Sequence, residues 1–193
     1  MIILMREEKK MKVLCIGDSN TFGFDPRSPL GERYPDDVRW TGKVTGHVMI
    51  NWGINGIMVP HDHSVYVDLV RRKDPDLVIV MLGCNDLLMG GSAEQTAHYM
   101  GEFLDSLRTA GKKILLIAAP PFTYGDAVQT DELIEESKKL AGEYRDLADK
   151  KGCLFEDAGE WGVDIAFDGV HFSEEGHAAF ARGLEKALER LEA

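Results

Sequence analysis

Leu77-Val78-Ile79-Val80-Met81-Leu82-Gly83-Cys84-Asn85-Asp86 is the stretch that decides the fold. Its first part is apolar at every position, without alternation, and it breaks at a glycine into a polar turn. A strand with one wet face alternates, whereas a continuous aliphatic run suits a strand covered on both faces, as in a parallel sheet. Outward from it, Val13-Leu14-Cys15-Ile16 repeats the pattern and also ends in glycine, at Gly17. Ile114 to Ala118 makes another run and stops at Pro120-Pro121. Val48-Met49-Ile50 is a weaker one, and Leu154-Phe155 a short last one.

Helical patterns separate these runs. Ser92 with Gln95 reads as a capping box, and Ala97, Met100, Leu104 and Leu107 keep one face apolar as far as Gly111. Thr130, followed by Asp131 and Glu132, opens another helix, in which Leu133, Leu140, Tyr144 and Leu147 recur at helical spacing before Gly152. Val65, Leu69 and Val70 predict a shorter helix ending in Arg71-Arg72-Lys73. Ser173 caps a last one carrying Phe180, Leu184, Leu188 and Leu191. Strands alternating with helices predict a three-layer α/β/α domain around a parallel sheet, and such sheets bind ligands beyond the carboxyl ends of their strands. Gly17-Asp18-Ser19 and Gly83-Cys84-Asn85-Asp86 fall there, with the loop Asn51 to Gly56 beside them.

The chain of 193 residues is long enough for one well-buried core. We expect one domain over residues 11–193 behind a flexible N-terminal tail over residues 1–10. A formal net charge of −11 argues against nucleic acid or an anionic membrane as partner, since both demand a basic face. Cys15, Cys84 and Cys153 lack metal-site spacing and read as reduced thiols. With no secretory pattern at the start, the expected location is cytoplasmic. Homo-oligomer formation is left open.

Asp168-Gly169-Val170-His171 places a carboxylate three residues before a histidine across a tight turn. The carboxylate can hold one imidazole nitrogen and leave the other as a base. Ser19 leaves a buried strand at a turn where backbone N–H groups face any developing anion, although Asp18-Ser19-Asn20 read alone would simply cap a helix. Asn85 could aim a neutral amide at an oxyanion or merely form a turn. Gly56 would add an unobstructed backbone N–H, and Gly53 competes for that part. Phe22, Phe24 and Trp52 near the predicted rim read as a tight, shallow substrate pocket or as core. His61-Asp62-His63 has a metal-like alternation, but Asp62 after Pro60 reads as a helix cap.

Taken jointly, Gly17-Asp18-Ser19, Gly56, Gly83-x-Asn85-Asp86 and Asp168-x-x-His171 resemble the four sequence blocks of the SGNH, or GDSL-type, hydrolases. The resemblance implies a flavodoxin-like sandwich with a five-stranded parallel sheet and no cofactor or metal. It implies Ser19 as nucleophile, Asp168 and His171 completing a triad, and an oxyanion hole from the Ser19 N–H, the Gly56 N–H and the Asn85 amide. Asn20 stands where the family's name-giving motif has Leu, a departure expected to leave catalysis untouched and to alter the pocket wall. Thr21-Phe22-Gly23-Phe24 and Asp37-Val38-Arg39-Trp40-Thr41-Gly42 are similar to the bacterial arylesterase branch, some of whose members also perform acyl transfer.

The expected activity is therefore a serine esterase acting on small, short-acyl or aryl carboxylic esters. Within the same chemistry the alternatives are a carbohydrate O-acetyl esterase and a thioesterase. A metallophosphoesterase fits poorly, because no Asp-x-His pair follows the first strand and Asn85-Asp86 lacks an adjacent histidine. A non-catalytic binding module would leave an intact triad unexplained.

Overall fold

Every apolar run of the sequence forms a strand. In the computed structural model, which describes residues 10–192, these are β1 (Lys12–Gly17), β2 (Val48–Gly53), β3 (Leu77–Met81), β4 (Lys113–Ala118) and β5 (Leu154–Asp157). The tail expected over residues 1–10 lies outside the described residues except for Lys10. The strands pair in parallel in the order β2-β1-β3-β4-β5, the flavodoxin-like arrangement. Every residue of β3 is at most 1% exposed, which is why the run Leu77–Met81 shows no alternation. The edge strands outrun their apolar stretches. β2 continues through Asn51-Trp52-Gly53, paired with Cys15, Ile16 and Gly17. β5 continues through Glu156 and Asp157, paired with Ile117 and Ala118. Pairing with a neighbour, rather than hydrophobicity, sets where an edge strand ends.

The helices are α1 (Ser19–Phe22), α2 (Trp40–Lys43), α3 (Ser64–Lys73), α4 (Cys84–Leu88), α5 (Ala93–Arg108), α6 (Asp131–Lys151) and α7 (Glu174–Glu192), with a 3-10 turn at Ala158–Trp161. The Ser92 hydroxyl accepts from the Gln95 N–H at 3.1 Å, Thr130 caps α6 and Gly152 ends it in the left-handed region. Ser173 Oγ accepts from the Gly176 N–H at 3.0 Å at the start of α7. Asp62 serves the entry to α3 by accepting from the Ser64 N–H at 3.0 Å. Asp18 caps α1, as the Asp18-Ser19-Asn20 reading allows, whereas α2 and α4 have no sequence signature, because a single turn is too short to display a period. One layer packs α2 against α7; the other sets α5 between α3 and α6. Trp40 is fully buried and meets Phe180 at 4.8 Å, so this ring belongs to the core beneath α7.

His177 on α7 is fully buried in the same core, its ring edge-on to Tyr34 and Phe172. Its Nδ1 accepts from the Trp40 N–H at 3.4 Å, while its Nε2 has no hydrogen-bond partner among the described residues. Burial pushes its pKa down to about 4, with the Lys43 and His171 charges adding to the effect. The unfolded chain therefore binds this proton more readily, and His177 makes stability fall as pH drops from about 6.5 towards about 4. Asp18, pushed up to about 6 by its own burial, works in the opposite sense over part of that window. The two contributions separate in a variant. His177→Asn, whose Oδ1 can replace Nδ1, should shrink the loss of unfolding free energy between about pH 7.5 and 4.5 by about 2–3 kcal/mol. Denaturant melts at both pH values measure it.

Candidate active site

β1 delivers its chain end to the rim through Gly17. A side chain there would sit 2.1 Å from Thr21 Oγ1, so the strand can turn straight into α1 only with glycine. Asp18 caps the turn by accepting the Asn20 N–H on Oδ1 at 3.0 Å. Ser19 is then the first residue of α1, recessed at 7% exposure. Its position at the end of a central strand, next to the β1–β3 switch point, is where open α/β sheets hold ligands.

The second half of the site comes from the turn before α7. Gly169 adopts φ +84, a left-handed conformation that suits glycine. The turn folds Asp168 back on itself: Oδ1 accepts the Val170 and His171 N–H groups, each at 3.0 Å, and Oδ2 meets His171 Nδ1 at 2.5 Å. Burial alone would raise the Asp168 carboxyl, but the imidazole and the two backbone donors outweigh it and hold it below its ordinary value. An ionised carboxylate only accepts, so Nδ1 carries the imidazole proton and Nε2 is the acceptor. Nε2 lies 2.9 Å from Ser19 Oγ. The result is a continuous chain of carboxylate, imidazole and hydroxyl. Such a chain can pass the hydroxyl proton to Nε2 while the carboxylate stabilises the imidazolium.

The loop after β4 cradles this turn from outside. Thr123 N–H donates to Gly169 O at 3.1 Å and Ala127 N–H to Asp168 O at 2.9 Å. A side chain at Gly125 would come within 2.2 Å of the Asp168 carbonyl carbon. In the sequence this loop showed only the strand-ending Pro120-Pro121, and its grip on Asp168 had no local signal.

Asn85 and Gly56 complete the rim. Asn85, on α4, donates from Nδ2 to Ile57 O at 2.9 Å, which fixes the amide and leaves its second N–H to point elsewhere. The adjacent Asp86 accepts the Val59 N–H on Oδ2 at 3.0 Å. Both side chains thus hold the loop that bears Gly56. Gly56 has φ +72 and open space around a would-be Cβ, so backbone conformation rather than crowding asks for glycine. The Gly53 N–H is taken by Asn51 Oδ1 at 3.0 Å, whereas among the described residues no acceptor takes the Gly56 N–H.

The three aromatic residues take different places. Phe24 lies against the His171 ring at 4.6 Å. Phe22 carries Arg33 over its face at 4.5 Å, and Trp52 packs on the hydrophobic core from β2. His61 meets Tyr99 edge-on and His63 bonds Ser106 Oγ at 2.7 Å. Among the described residues no group of acidic, histidine and cysteine side chains could hold a metal ion. Asn20 requires a correction. It does not form pocket wall, being only 2% exposed. Its Oδ1 accepts the Phe172 N–H at 3.0 Å and its Nδ2 donates to Val170 O at 3.2 Å. The signal available in the sequence was a polar residue where the family motif is apolar.

Comparison with known proteins bears on the family and the fold. The sequence matches the GDSL-like lipase/acylhydrolase family over residues 15–179. The aryl esterase of M. smegmatis is 25% identical with a TM-score of 0.85, covering 95% of this chain and 100% of that one. Est24, a carbohydrate acetylesterase from Sinorhizobium meliloti, is 27% identical with a TM-score of 0.83, at 95% and 100% coverage. A protein from Agrobacterium tumefaciens, described provisionally as an arylesterase, is 30% identical with a TM-score of 0.79, at 92% and 98% coverage. A curated relative from Acetivibrio thermocellus, provisionally named endoglucanase X, is 25% identical over 127 residues, and the match takes in 64% of this chain but only 54% of that protein's length. The family match over most of the chain and the shared flavodoxin-like fold establish that the chain belongs to the GDSL-like lipase/acylhydrolase family, as a carboxylic ester hydrolase of the SGNH type.

Proposed function

We propose that the protein hydrolyses small, short-acyl esters, aryl esters among them, through Ser19 as nucleophile, His171 as general base and acid, and Asp168 as the group that orients and stabilises the imidazole. The observation that carries this reading is the unbroken hydrogen-bonded chain from Asp168 Oδ2 through His171 to Ser19 Oγ, with spans of 2.5 and 2.9 Å. Ser19 Oγ attacks the ester carbonyl carbon as its proton passes to Nε2. The tetrahedral oxyanion takes hydrogen bonds from the Ser19 N–H, the Gly56 N–H and the second N–H of Asn85. Its collapse expels the alcohol, which takes the Nε2 proton. Water, activated by the same nitrogen, then attacks the acyl–Ser19 ester and returns the hydroxyl. A second alcohol in place of water gives acyl transfer by identical steps.

An apolar alcohol portion is favoured by the side chains around the rim. Ile54, Met58, Met89, Tyr124 and Phe167 are large, apolar and exposed on loops that follow the strands, and Phe167 directly precedes Asp168. Exposed apolar groups gathered at one end suit an aryl leaving group better than a polyol. A carbohydrate O-acetyl esterase is the second reading, supported by the likeness to Est24.

Ser19→Ala should reduce kcat by about 10⁴-fold or more, with a residue above the uncatalysed rate from the oxyanion donors. Retention of wild-type kcat with p-nitrophenyl acetate would remove Ser19 from the mechanism. Asn85→Ala should lower kcat by about 10²–10³ with a small change in KM, because charge on the oxygen develops only in the transition state. An effect on KM alone would make Asn85 a binding residue. A third experiment addresses the substrate. Across p-nitrophenyl esters from acetate to decanoate, kcat/KM should fall with chain length, whereas a buried acyl tunnel would add about 0.8 kcal/mol per methylene. Turnover of acetylated sugars faster than of phenyl acetate would favour the second reading.

A further inference from the structure

Asn20 occupies an unusual place relative to the reacting pair. It follows Ser19 directly, and its side-chain amide grips the peptide groups on either side of His171, through the Phe172 N–H at 3.0 Å and the Val170 carbonyl at 3.2 Å. Its own backbone is held as firmly: the N–H by Asp18 Oδ1 at 3.0 Å, the carbonyl by Trp40 Nε1 at 3.1 Å. With both flanking peptide groups pinned, His171 retains only its side-chain torsions, and Asp168 and Ser19 engage the two ring nitrogens. An amide is suited to this task because donor and acceptor lie in one plane at a fixed spacing. Leu would match its bulk with neither function, and an ionised Asp would present two acceptors, one of them to the Val170 carbonyl.

We infer that Asn20 is a positioning residue whose amide sets the distance between Ser19 Oγ and His171 Nε2, and so governs proton transfer rather than substrate binding. This rests on the reading of Ser19 and His171 as nucleophile and base. Near-attack geometry is steep in distance, so releasing the clasp costs rate even where the fold persists.

The test is steady-state kinetics on Asn20→Leu and Asn20→Asp with p-nitrophenyl acetate from about pH 5.5 to 9, with rates corrected for the folded fraction. Asn20→Leu should lose at least about tenfold in kcat, with KM within about twofold of wild type. Asn20→Asp should lose as much at high pH and recover as pH falls, because a protonated carboxyl again offers one acceptor and one donor. The titratable groups around it are Asp18 beside it, Asp168 and His171 in the clasped turn, and His177 behind Trp40 with Lys43 near that ring. Burial beside Asp18 pushes the introduced carboxyl up, which brings the recovery into an accessible range. The ratio of wild-type to Asn20→Asp kcat removes the pH response common to both proteins. An Asn20→Leu kcat within about twofold of wild type, or a loss confined to KM, overturns the inference. So does an Asn20→Asp deficit that is constant with pH, which also decides the matter if Asn20→Leu does not fold. Full kcat in Ser19→Ala would instead defeat the underlying reading, so the two failures are told apart.

Discussion

The contact between Ser19 Oγ and His171 Nε2 closes a gap of 152 residues with one hydrogen bond of 2.9 Å. Asp18 and Asn20 on one side, and the turn around Asp168 on the other, hold the backbone that carries those two atoms. One end hangs from β1, flanked in the sheet by β2 and β3, where burial on both faces restricts the backbone. The other end hangs from the turn before α7, and α7 packs on α2 through Trp40, Phe180 and Phe172. Two rigid elements from opposite ends of the chain are thus brought together by core packing, and short side-chain hydrogen bonds correct the remaining slack.

Those corrections follow one pattern. Asn20 grips the backbone on both sides of His171, while Asn85 and Asp86 grip the Ile57 carbonyl and the Val59 N–H of the loop that carries Gly56. Asn51 links the backbone of α1 to Thr41 of α2. In each case a short polar side chain pairs a peptide group of a loop or helix end that, among the described residues, takes no sheet or helix bond. A buried peptide group left unpaired costs about 1–3 kcal/mol, so each pairing resists displacement of its loop. Stability and site geometry depend here on the same bonds.

The carboxyl groups near the site differ because their donors differ. Asp168 receives the imidazole and two backbone N–H groups and stays below its ordinary pKa despite burial. Asp18 receives one backbone N–H and lies beside the Cys84 thiol, and burial outweighs both and raises it to about 6. Asp86 is also raised by burial, against the pull of the Val59 N–H. The carboxylate that meets the His171 ring is therefore the one richest in donors.

Much of this was legible in the sequence, for local reasons. Burial on both faces writes itself as unbroken apolar runs, so the parallel sheet could be read from Leu77–Met81 and its counterparts. Caps such as Ser92 and Thr130, and the spacing of Asp168 and His171, need only a few neighbouring residues. The loops bearing Ser19, Gly56 and Asn85 could be assigned to one rim because all follow strands of one parallel sheet. Only the tertiary structure decided which way side chains face and what they hold. Asn20 turned out to be a buried clasp rather than pocket wall, Trp52 packs on the core while Phe24 meets His171, and the loop through Thr123, Gly125 and Ala127 cradles Asp168. Such facts depend on which loop peptide groups lack a partner once the chain has closed on itself. That need is set by segments more than a hundred residues apart, as with Asn20 and Val170, and no local pattern records it.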